Sequence, residues 1–257
     1  MELNLKGRTA LVTGASRGIG FGVAQLLAAE GCNLHLASRS AHDLEAARRT
    51  ITEDHRVEVK THALDLSRPA NILRLVAASG PVDILINNAG AIPHAPITAF
   101  DDKTWRAGWD LKVFGFINLT REVYREMCAS GRGVIINIAG TAGERPVAHY
   151  IAGSMGNAAL MAMSRALGAE SVGYGVRVVA VNPGGIETDR QIASWRARAK
   201  QQLGDENRWR ELANRRPIKR LGTVDEVAAM IVFLCSDRSG YTSGTVITVD
   251  GGASAHS

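Results

Sequence analysis

Short apolar runs alternate along the whole chain with longer stretches of mixed apolar and polar residues. The apolar runs predict strands at Thr9–Thr13, Asn33–Ser38, Val57–Leu64, Asp83–Asn87, Val134–Ile138, Arg177–Asn182 and Val246–Val249. The mixed stretches predict helices at Gly18–Glu30, Ala41–Glu53, Pro69–Ala78, Lys103–Ser130, Ser154–Ser171 and Val224–Ser236. Continuous apolar runs are typical of strands covered on both faces, and repeated strand–helix units favour right-handed crossovers. The pattern therefore predicts an α/β fold with helices flanking a doubly wound parallel sheet of seven strands.

The chain is predicted to form one domain. Its 257 residues contain no internal repeat and no linker, so we expect a single domain over residues 1–257. Residues 186–220 fall between the sixth predicted strand and the last predicted helix. We expect them to form a mobile segment that covers the substrate.

Composition narrows the possible function classes. No apolar run has the length of a membrane span, and Met1–Arg8 does not resemble a signal peptide, so we expect a cytoplasmic protein that does not bind membranes. Cys32, Cys128 and Cys235 lie far apart in apolar surroundings, without His or Cys at ligand spacing. They are predicted to be buried free thiols, and we expect no metal site.

The net charge of +5 is concentrated in one part of the chain. Ten basic and three acidic residues lie between Arg190 and Arg220, which gives this range a charge of +7. One interpretation is a solvated helical face, and the other is a cover that attracts an anionic ligand. No aromatic or motif signature of nucleic-acid binding accompanies the charge, so we expect no nucleic-acid partner.

A glycine-rich stretch, Thr13-Gly14-Ala15-Ser16-Arg17-Gly18-Ile19-Gly20, joins the first predicted strand to the first predicted helix. Gly14 allows a tight turn, Gly18 allows close approach to a pyrophosphate, and Gly20 lets the helix pack against the strand. Free N–H groups at the start of a helix, together with its dipole, favour a phosphate. The stretch indicates a nucleotide site; a strand–helix corner that only requires small residues is the alternative.

Four motifs, in this order, resemble the short-chain dehydrogenase/reductase family. They are Thr13-Gly-x-x-x-Gly-x-Gly20, Asn87-Asn88-Ala89-Gly90, Asn182-Pro183-Gly184 and Asp250-Gly251-Gly252, and the similarity extends over essentially the whole chain. The resemblance implies a Rossmann-type fold, a nicotinamide cofactor and a homotetramer or homodimer. It also implies an oxidoreductase that transfers a hydride between the cofactor and a small-molecule carbonyl or alcohol substrate.

The resemblance implies a set of cofactor-binding residues: Gly14, Ser16, Arg17, Gly18, Ile19, Gly20, Ser38, Arg39, Asp65, Leu66, Asn88, Ala89, Gly90, Pro183, Gly184, Ile186 and Thr188. Members that prefer NAD carry an acid after the second strand, where this chain has Ser38-Arg39. A guanidinium pairs with a ribose 2′-phosphate, and Arg17 lies in the glycine loop, so we expect NADP(H) to be preferred over NAD(H). The alternatives are that Arg39 only starts a helix, that Asp65 only caps one, and that Asn87–Gly90 is only a turn.

The chain departs from the family pattern where the resemblance implies the catalytic residues. The family uses a tyrosine as general acid/base, a serine on the substrate oxygen, a lysine that lowers the tyrosine pKa, and an asparagine in a proton relay. Alignment on the flanking motifs places Gly153 at the tyrosine position and Asn157 at the lysine position. It places Gly140 at the serine position and Lys112 at the asparagine position.

Two hypotheses follow from these departures. In the first, the site is rebuilt: Tyr150 supplies the phenol, Lys112 supplies the cation, and Ser154 or Asn157 binds substrate or ribose. In the second, the protein is a catalytically silent nucleotide-binding protein that acts as an oligomeric scaffold or sensor. Tyr150 would then be an interface aromatic, and Lys112 would pair with an acid such as Asp110.

Overall fold

The computed structural model describes residues 1–256, and its strands form one parallel sheet. The strands are β1 (Thr9–Thr13), β2 (Asn33–Ser38), β3 (Val59–Ala63), β4 (Ile84–Asn87), β5 (Gly133–Ile138), β6 (Val176–Pro183) and β7 (Thr245–Val249). Their order is β3-β2-β1-β4-β5-β6-β7, and all neighbours run parallel. The predicted Rossmann-type doubly wound sheet of seven strands is therefore confirmed. The order reverses between β1 and β4, which opens a crevice at their carboxyl ends.

Helices cover both faces of the sheet. They are α1 (Gly18–Ala29), α2 (Ala41–Asp54), α3 (Pro69–Ser79), α4 (Asp102–Trp109), α5 (Gly115–Ser130), α6 (Ile151–Ser171), α7 (Asp189–Leu203), α8 (Trp209–Ala213) and α9 (Val224–Cys235). Local signals begin several of them: the Ser40 hydroxyl accepts from the Asp43 amide at the start of α2, and Thr223 and Glu226 form a capping box at the start of α9. Such caps satisfy amide groups that have no partner within the helix.

The sheet has an apolar core on each face. Val12, Leu36 and Ile86 belong to a buried cluster with residues of α1 and α9. Leu11 and Leu85 belong to a second cluster, with residues of α3 and α5. Neighbouring positions of the central strands thus face opposite cores, which is why these strands read as continuous apolar runs in the sequence.

Two helices differ from their predictions where they approach the crevice. The predicted helix Lys103–Ser130 consists of α4 and α5 joined by a π-helical turn, Asp110–Phe114, which contains Lys112. The wider turn changes the direction of the side chains without ending the helix. Helix α6 begins at Ile151, three residues before the predicted start, so Tyr150 stands at its N-cap position.

Residues 186–220, called the cover segment below, contain α7 and α8 and have an apolar cluster of their own. Trp209, Leu212 and Ala199 are buried there, with Trp195 packed against them. This cluster holds the two helices together beside the sheet. The mobility of the cover segment stays a prediction.

Residues 1–256 lack two kinds of feature. No helix in that range combines the length and the apolarity needed to cross a membrane. No cluster of three or more His, Cys, Asp or Glu side chains in the same range has an arrangement that could bind a metal ion.

Candidate functional site

A cavity of about 760 Å³ lies at the carboxyl ends of the central strands, where the crevice opens. It is of the size of ligand pockets in general. Most of the predicted cofactor residues line it: Gly14, Ser16, Arg17, Gly18, Ile19, Ser38, Arg39, Leu66, Asn88, Ala89, Gly90, Pro183, Gly184, Ile186 and Thr188. Two others do not: Gly20 lies buried behind the glycine loop, and Asp65 lines an adjoining cavity of about 690 Å³.

The glycine loop has the backbone that a phosphate cradle needs. Gly14 and Gly18 have φ values of +64° and +59°, in the left-handed region that glycine tolerates. A Cβ on Gly14 would lie 2.8 Å from Nδ2 of Asn88, and a Cβ on Gly20 would overlap the Gly14 carbonyl oxygen. No side chain caps α1 at Arg17, so its first N–H groups face the cavity without a side-chain acceptor.

Hydrogen bonds fix the floor of the crevice by joining the ends of β1 and β4. The Thr13 hydroxyl donates to the Ile86 carbonyl at 3.2 Å and accepts from the amides of Asn88 and Ala89 at 2.9 and 3.1 Å. The Asn88 side-chain amide donates to the Thr13 and Gly14 carbonyls. The two loops are thereby held in one orientation before any ligand binds.

The end of the cavity at β2 carries two cations. Arg17 and Arg39 are exposed and line the cavity, and within residues 1–256 neither has a carboxylate within ion-pair distance. The Ser38 hydroxyl, on the same rim, is buried without a hydrogen-bond partner. The Asp65 carboxylate accepts from the Ser67 hydroxyl at 2.8 Å. These residues fit a phosphorylated ribose: the guanidiniums match its phosphate, and the unpartnered Ser38 hydroxyl matches a sugar hydroxyl.

Lys112 reaches the site from the π-helical turn. Its ammonium donates to the carbonyls of Ala139 at 2.9 Å and Ile138 at 3.3 Å, at the end of β5, and it forms no ion pair with Asp110. Burial of this ammonium, reinforced by the Arg190 guanidinium, lowers the Lys112 pKa to about 8. Since an ammonium has three N–H donors, one stays available to a ligand in the cavity.

Tyr150 occupies the space that a side chain at position 153 would otherwise take. A Cβ built on Gly153 would lie 2.5 Å from Cε2 of Tyr150 and would overlap Cζ and Cε1. The other face of the phenol ring stacks on His94, with the ring centroids 4.0 Å apart and the planes inclined by 19°. The ring is therefore held between a glycine and an imidazole, and it lines the cavity.

Asn157 likewise occupies space that a side chain at position 140 would take. The Asn157 Nδ2 atom lies 2.9 Å from where a Cβ on Gly140 would stand, so the absence of a side chain at 140 makes room for this amide. Asn157 lines the cavity, and its buried Oδ1 atom has no hydrogen-bond donor. An unpartnered buried acceptor here matches a hydroxyl group of a ligand.

Ser154 is not part of the cavity, which corrects the expectation from the sequence. The residue is 3% exposed, and its hydroxyl accepts from the Val147 amide at 3.0 Å. The side chain thus fixes the loop before α6 and does not face a ligand. Tyr150, Lys112 and Asn157 are brought together in one cavity; Ser154 supports the segment that leads to Tyr150.

The cation that acts on the phenol is Arg190 rather than Lys112. Burial raises the pKa of the Tyr150 phenol above its usual value, and the Arg190 guanidinium opposes this shift. The prediction that Lys112 lowers the Tyr150 pKa therefore needs correction, because the ammonium is directed to the end of β5. Arg190 donates to the carbonyls of Gly90 and Ile92 at 3.0 and 2.8 Å.

Sequence reasoning did not assign a site role to His94 or Arg190. Arg190 begins the basic range and stands two residues after Thr188, so the charge pattern contained a signal for it. His94 lies in a loop without regular pattern, and the sequence contains no signal for its stack on Tyr150.

Comparisons with known proteins agree with this geometry. The family model described as enoyl-(acyl carrier protein) reductase matches residues 14–254. The 2-keto-3-deoxy-L-fuconate dehydrogenase of Xanthomonas campestris pv. campestris is 33% identical over 250 residues, which cover 96% of this chain and 80% of that protein. The structure of L-sorbose reductase from Gluconobacter frateurii, complexed with NADPH and L-sorbose, has a TM-score of 0.94 at 33% identity and covers 100% of both chains. NAD+-bound xylitol dehydrogenase has a TM-score of 0.89 at 25% identity, over 97% of this chain and 100% of that one.

The matches span nearly the whole chain, and the solved structures share its fold. The chain therefore belongs to the short-chain dehydrogenase/reductase family of NAD(P)-dependent oxidoreductases.

Proposed function

We propose that the protein transfers a hydride between NADP(H) and a small carbonyl or alcohol substrate, with Tyr150 as the proton donor and acceptor of a rearranged site. The observation that carries the proposal is the position of the Tyr150 ring over Gly153, in the cavity that the glycine loop also lines. The phenol comes from a residue one helical turn earlier, yet it fills the space that a side chain at 153 would use. Assembly into a homotetramer or homodimer stays a prediction from the family resemblance.

The preference for NADP(H) is proposed from the cations at the end of β2. Arg17 and Arg39 can pair with a ribose 2′-phosphate, and no acid stands beside Ser38 to accept bonds from the two ribose hydroxyls of NAD. L-Sorbose reductase was solved with NADPH and xylitol dehydrogenase with NAD+, so the family uses both cofactors. The charge of this chain's own residues is the argument for NADP(H).

In this mechanism the bound nicotinamide supplies or accepts the hydride, and the residues of the chain manage the proton. In the direction of carbonyl reduction, the Tyr150 hydroxyl would donate a hydrogen bond to the carbonyl oxygen of the substrate and would give its proton to that oxygen. Burial keeps the phenol protonated at neutral pH, and the Arg190 guanidinium stabilises the phenolate formed by the transfer. The reverse reaction uses the same groups in the opposite order.

Lys112 and Asn157 complete the site in the proposal. The free N–H of the Lys112 ammonium can donate to a ribose hydroxyl. The ammonium can also return a proton to the Tyr150 phenolate through solvent, and its pKa of about 8 suits proton transfer near neutral pH. The unpartnered Oδ1 of Asn157 can accept from a hydroxyl of the ribose or the substrate. These roles differ from those expected from the sequence, which gave Lys112 the task of lowering the Tyr150 pKa.

The alternative is a catalytically silent nucleotide-binding protein. Two observations favour it: burial raises the Tyr150 pKa, and the Lys112 ammonium already donates to two backbone carbonyls. A silent protein would bind NADPH and turn over no carbonyl compound.

Paired measurements separate these functions. NADPH binding is followed by fluorescence titration, and NADPH oxidation is followed with a panel of aldehydes and ketones. We expect wild-type turnover, and we expect Tyr150→Phe and Lys112→Ala to lose about 100-fold or more in kcat while both variants still bind NADPH. Tyr241→Phe is the matched control because this side chain is fully exposed. Binding without turnover of any panel member would favour the silent protein, and unchanged turnover in both variants would refute the rebuilt site.

A further inference from the structure

Five of the eight arginines in the cover segment either form an ion pair or line the cavity. Arg208 forms an ion pair with Glu211 at 2.7 Å, and Arg220 pairs with Glu226; neither lines the cavity. Arg190, Arg198 and Arg216 line the cavity, and within residues 1–256 none of them has a carboxylate within 4.0 Å. Carboxylates thus neutralise Arg208 and Arg220, whereas the guanidiniums that face the cavity have no such partner within residues 1–256. The remaining arginines of the segment also lack an ion pair in that range but do not line the cavity: Arg196, Arg210 and Arg215.

Arg190 is the one of these three that lies beside the proposed reaction centre. Its guanidinium donates to the carbonyls of Gly90 and Ile92. Ile92 lies two residues before His94, and the imidazole of His94 stacks on the Tyr150 ring. The same guanidinium influences the pKa of Tyr150 and of Lys112. A guanidinium has five N–H donors, so two bonds to carbonyls leave a fork for a ligand.

The other two arginines contact other parts of the protein. The Arg198 guanidinium lies 5.6 Å from the centre of the Trp195 ring, and Arg216 is half-buried against Gly184 and Gly185, with Asp250 nearby. They add positive potential to the cavity, while Arg190 is the exposed arginine whose charge acts on the Tyr150 phenol.

The anions of the proposed cofactor have partners of their own in the cavity. Its pyrophosphate matches the N–H groups of the glycine loop, and its 2′-phosphate matches Arg17 and Arg39. The acidic residues that line the cavity are Asp43, close to Arg17, and the exposed Asp189. The end of the cavity near Tyr150 therefore has an excess of positive charge that the cofactor does not require.

We infer that the substrate carries an anionic group, a carboxylate or a phosphate ester, and that Arg190 is the specificity-determining residue that binds it. The inference rests on the proposed function, because it assigns the substrate class of that same site. A guanidinium fork recognises either anion through two parallel N–H···O bonds, and a neutral group of the same size loses this interaction.

Matched substrate pairs test the inference. Each pair has the same reacting carbonyl with and without the charge: levulinate and its methyl ester, pyruvate and its amide, dihydroxyacetone phosphate and dihydroxyacetone. NADPH oxidation gives kcat/KM for each compound. We expect kcat/KM for the anionic member of at least one pair to exceed that for its neutral partner by about 10- to 100-fold, which is the usual effect of one hydrogen bond to a charged group. The carboxylate and phosphate pairs show which anion is used.

Variants connect the preference to the residue. Arg190→Gln removes the stabilisation of the phenolate for both partners and the contact to the anion for only one of them, so kcat/KM for the anionic substrate is expected to fall by about 10- to 100-fold more than kcat/KM for its neutral partner. Arg196→Gln is the control, because Arg196 lies on α7 but does not line the cavity. Equal turnover of charged and neutral partners, or an equal effect of Arg190→Gln on both, would overturn the inference while turnover itself upholds the proposed function.

A binding measurement keeps the two proposals distinguishable. The NADP+-loaded protein is titrated calorimetrically with levulinate, pyruvate and dihydroxyacetone phosphate. Binding of one of these anions that Arg190→Gln abolishes and Arg196→Gln retains would support the inference even if no compound were turned over. If none of the three binds or is turned over, the inference is refuted.

Discussion

Replacing Gly153 by alanine tests whether the position of the Tyr150 ring matters for catalysis. The substitution adds one methyl group beneath the phenol and leaves the phenol itself intact. A Cβ at residue 153 would lie 2.5 Å from Cε2 of Tyr150 and closer still to Cζ and Cε1. Carbon atoms pack at about 3.5–4.0 Å, so the ring must move by about 1 Å or more. The His94 imidazole limits this movement, because it covers the other face of the ring.

Movement of a reacting group by about 1 Å costs on the order of 100-fold in rate. We therefore expect Gly153→Ala to lower kcat by about 100-fold. NADPH affinity should change little, because the glycine loop and Arg39 lie at the other end of the cavity. Stability should not fall in parallel, because alanine in a helix is favoured over glycine by about 0.5–1 kcal/mol.

The assay compares kcat, NADPH affinity and thermal unfolding of wild type, Gly153→Ala and Gly156→Ala. Gly156 is a matched control on the same helix: a Cβ there meets the tip of the Val113 side chain at 3.0 Å, so a shift of a few tenths of an ångström is enough. A double-mutant cycle with Tyr150→Phe adds a sharper test. Once Tyr150→Phe has removed the phenol hydroxyl, Gly153→Ala should have little further effect on kcat. Wild-type kcat in Gly153→Ala, or fully additive losses in the cycle, would refute the reasoning.

Three further predictions concern the cations of the protein. Carbonyl reduction should lose kcat/KM as pH rises through about 8, because the lowered pKa of Lys112 makes its ammonium deprotonate there, and a pH profile of Lys112→Met should lack this decline. Arg39→Asp should weaken NADPH binding by about 10- to 100-fold and favour NADH, as titrations with both cofactors would show; an unchanged NADPH/NADH ratio would count against the assignment of the 2′-phosphate to Arg39. Arg177 is 9% exposed and donates to the carbonyls of Leu234 and Ser236 at 2.9 and 3.0 Å. Arg177→Met should lower the free energy of unfolding in urea by about 2–3 kcal/mol, and a loss below about 0.5 kcal/mol would show that these carbonyls find other partners.

The cofactor end of the cavity was predictable because its residues act locally. A strand, a glycine turn and a helix place Gly14–Gly20 in a cradle whatever the rest of the chain does, and Ser38-Arg39 follows its strand directly. Cofactor contact by Gly20 and Asp65 stays a prediction: Gly20 packs behind the loop, and Asp65 lines an adjoining cavity that shares Arg39 with the first. Which side of a loop faces the ligand depends on neighbouring elements, and the sequence does not contain that information.

The other end of the cavity was less predictable because its contacts join residues far apart in the chain. The pattern around Tyr150 indicated a phenol near the site, but its stack on His94 depends on how the loop after β4 meets α6. Ser154 was expected to face a ligand, and its hydroxyl instead fixes Val147. The π-helical turn at Lys112 has no signal in hydrophobic periodicity, because apolar spacing does not resolve one extra residue in a turn.

By itself, the sequence determined the order of strands and helices, the parallel sheet and the nucleotide cradle, because spacing, glycine conformation and charge act within one or two neighbouring elements. Only the tertiary structure decided that Tyr150 fills the space above Gly153, that Lys112 is directed to β5, and that Arg190 lies beside the phenol. The physical reason is that a glycine leaves a space in the structure, and the three-dimensional packing of distant residues determines which side chain fills it.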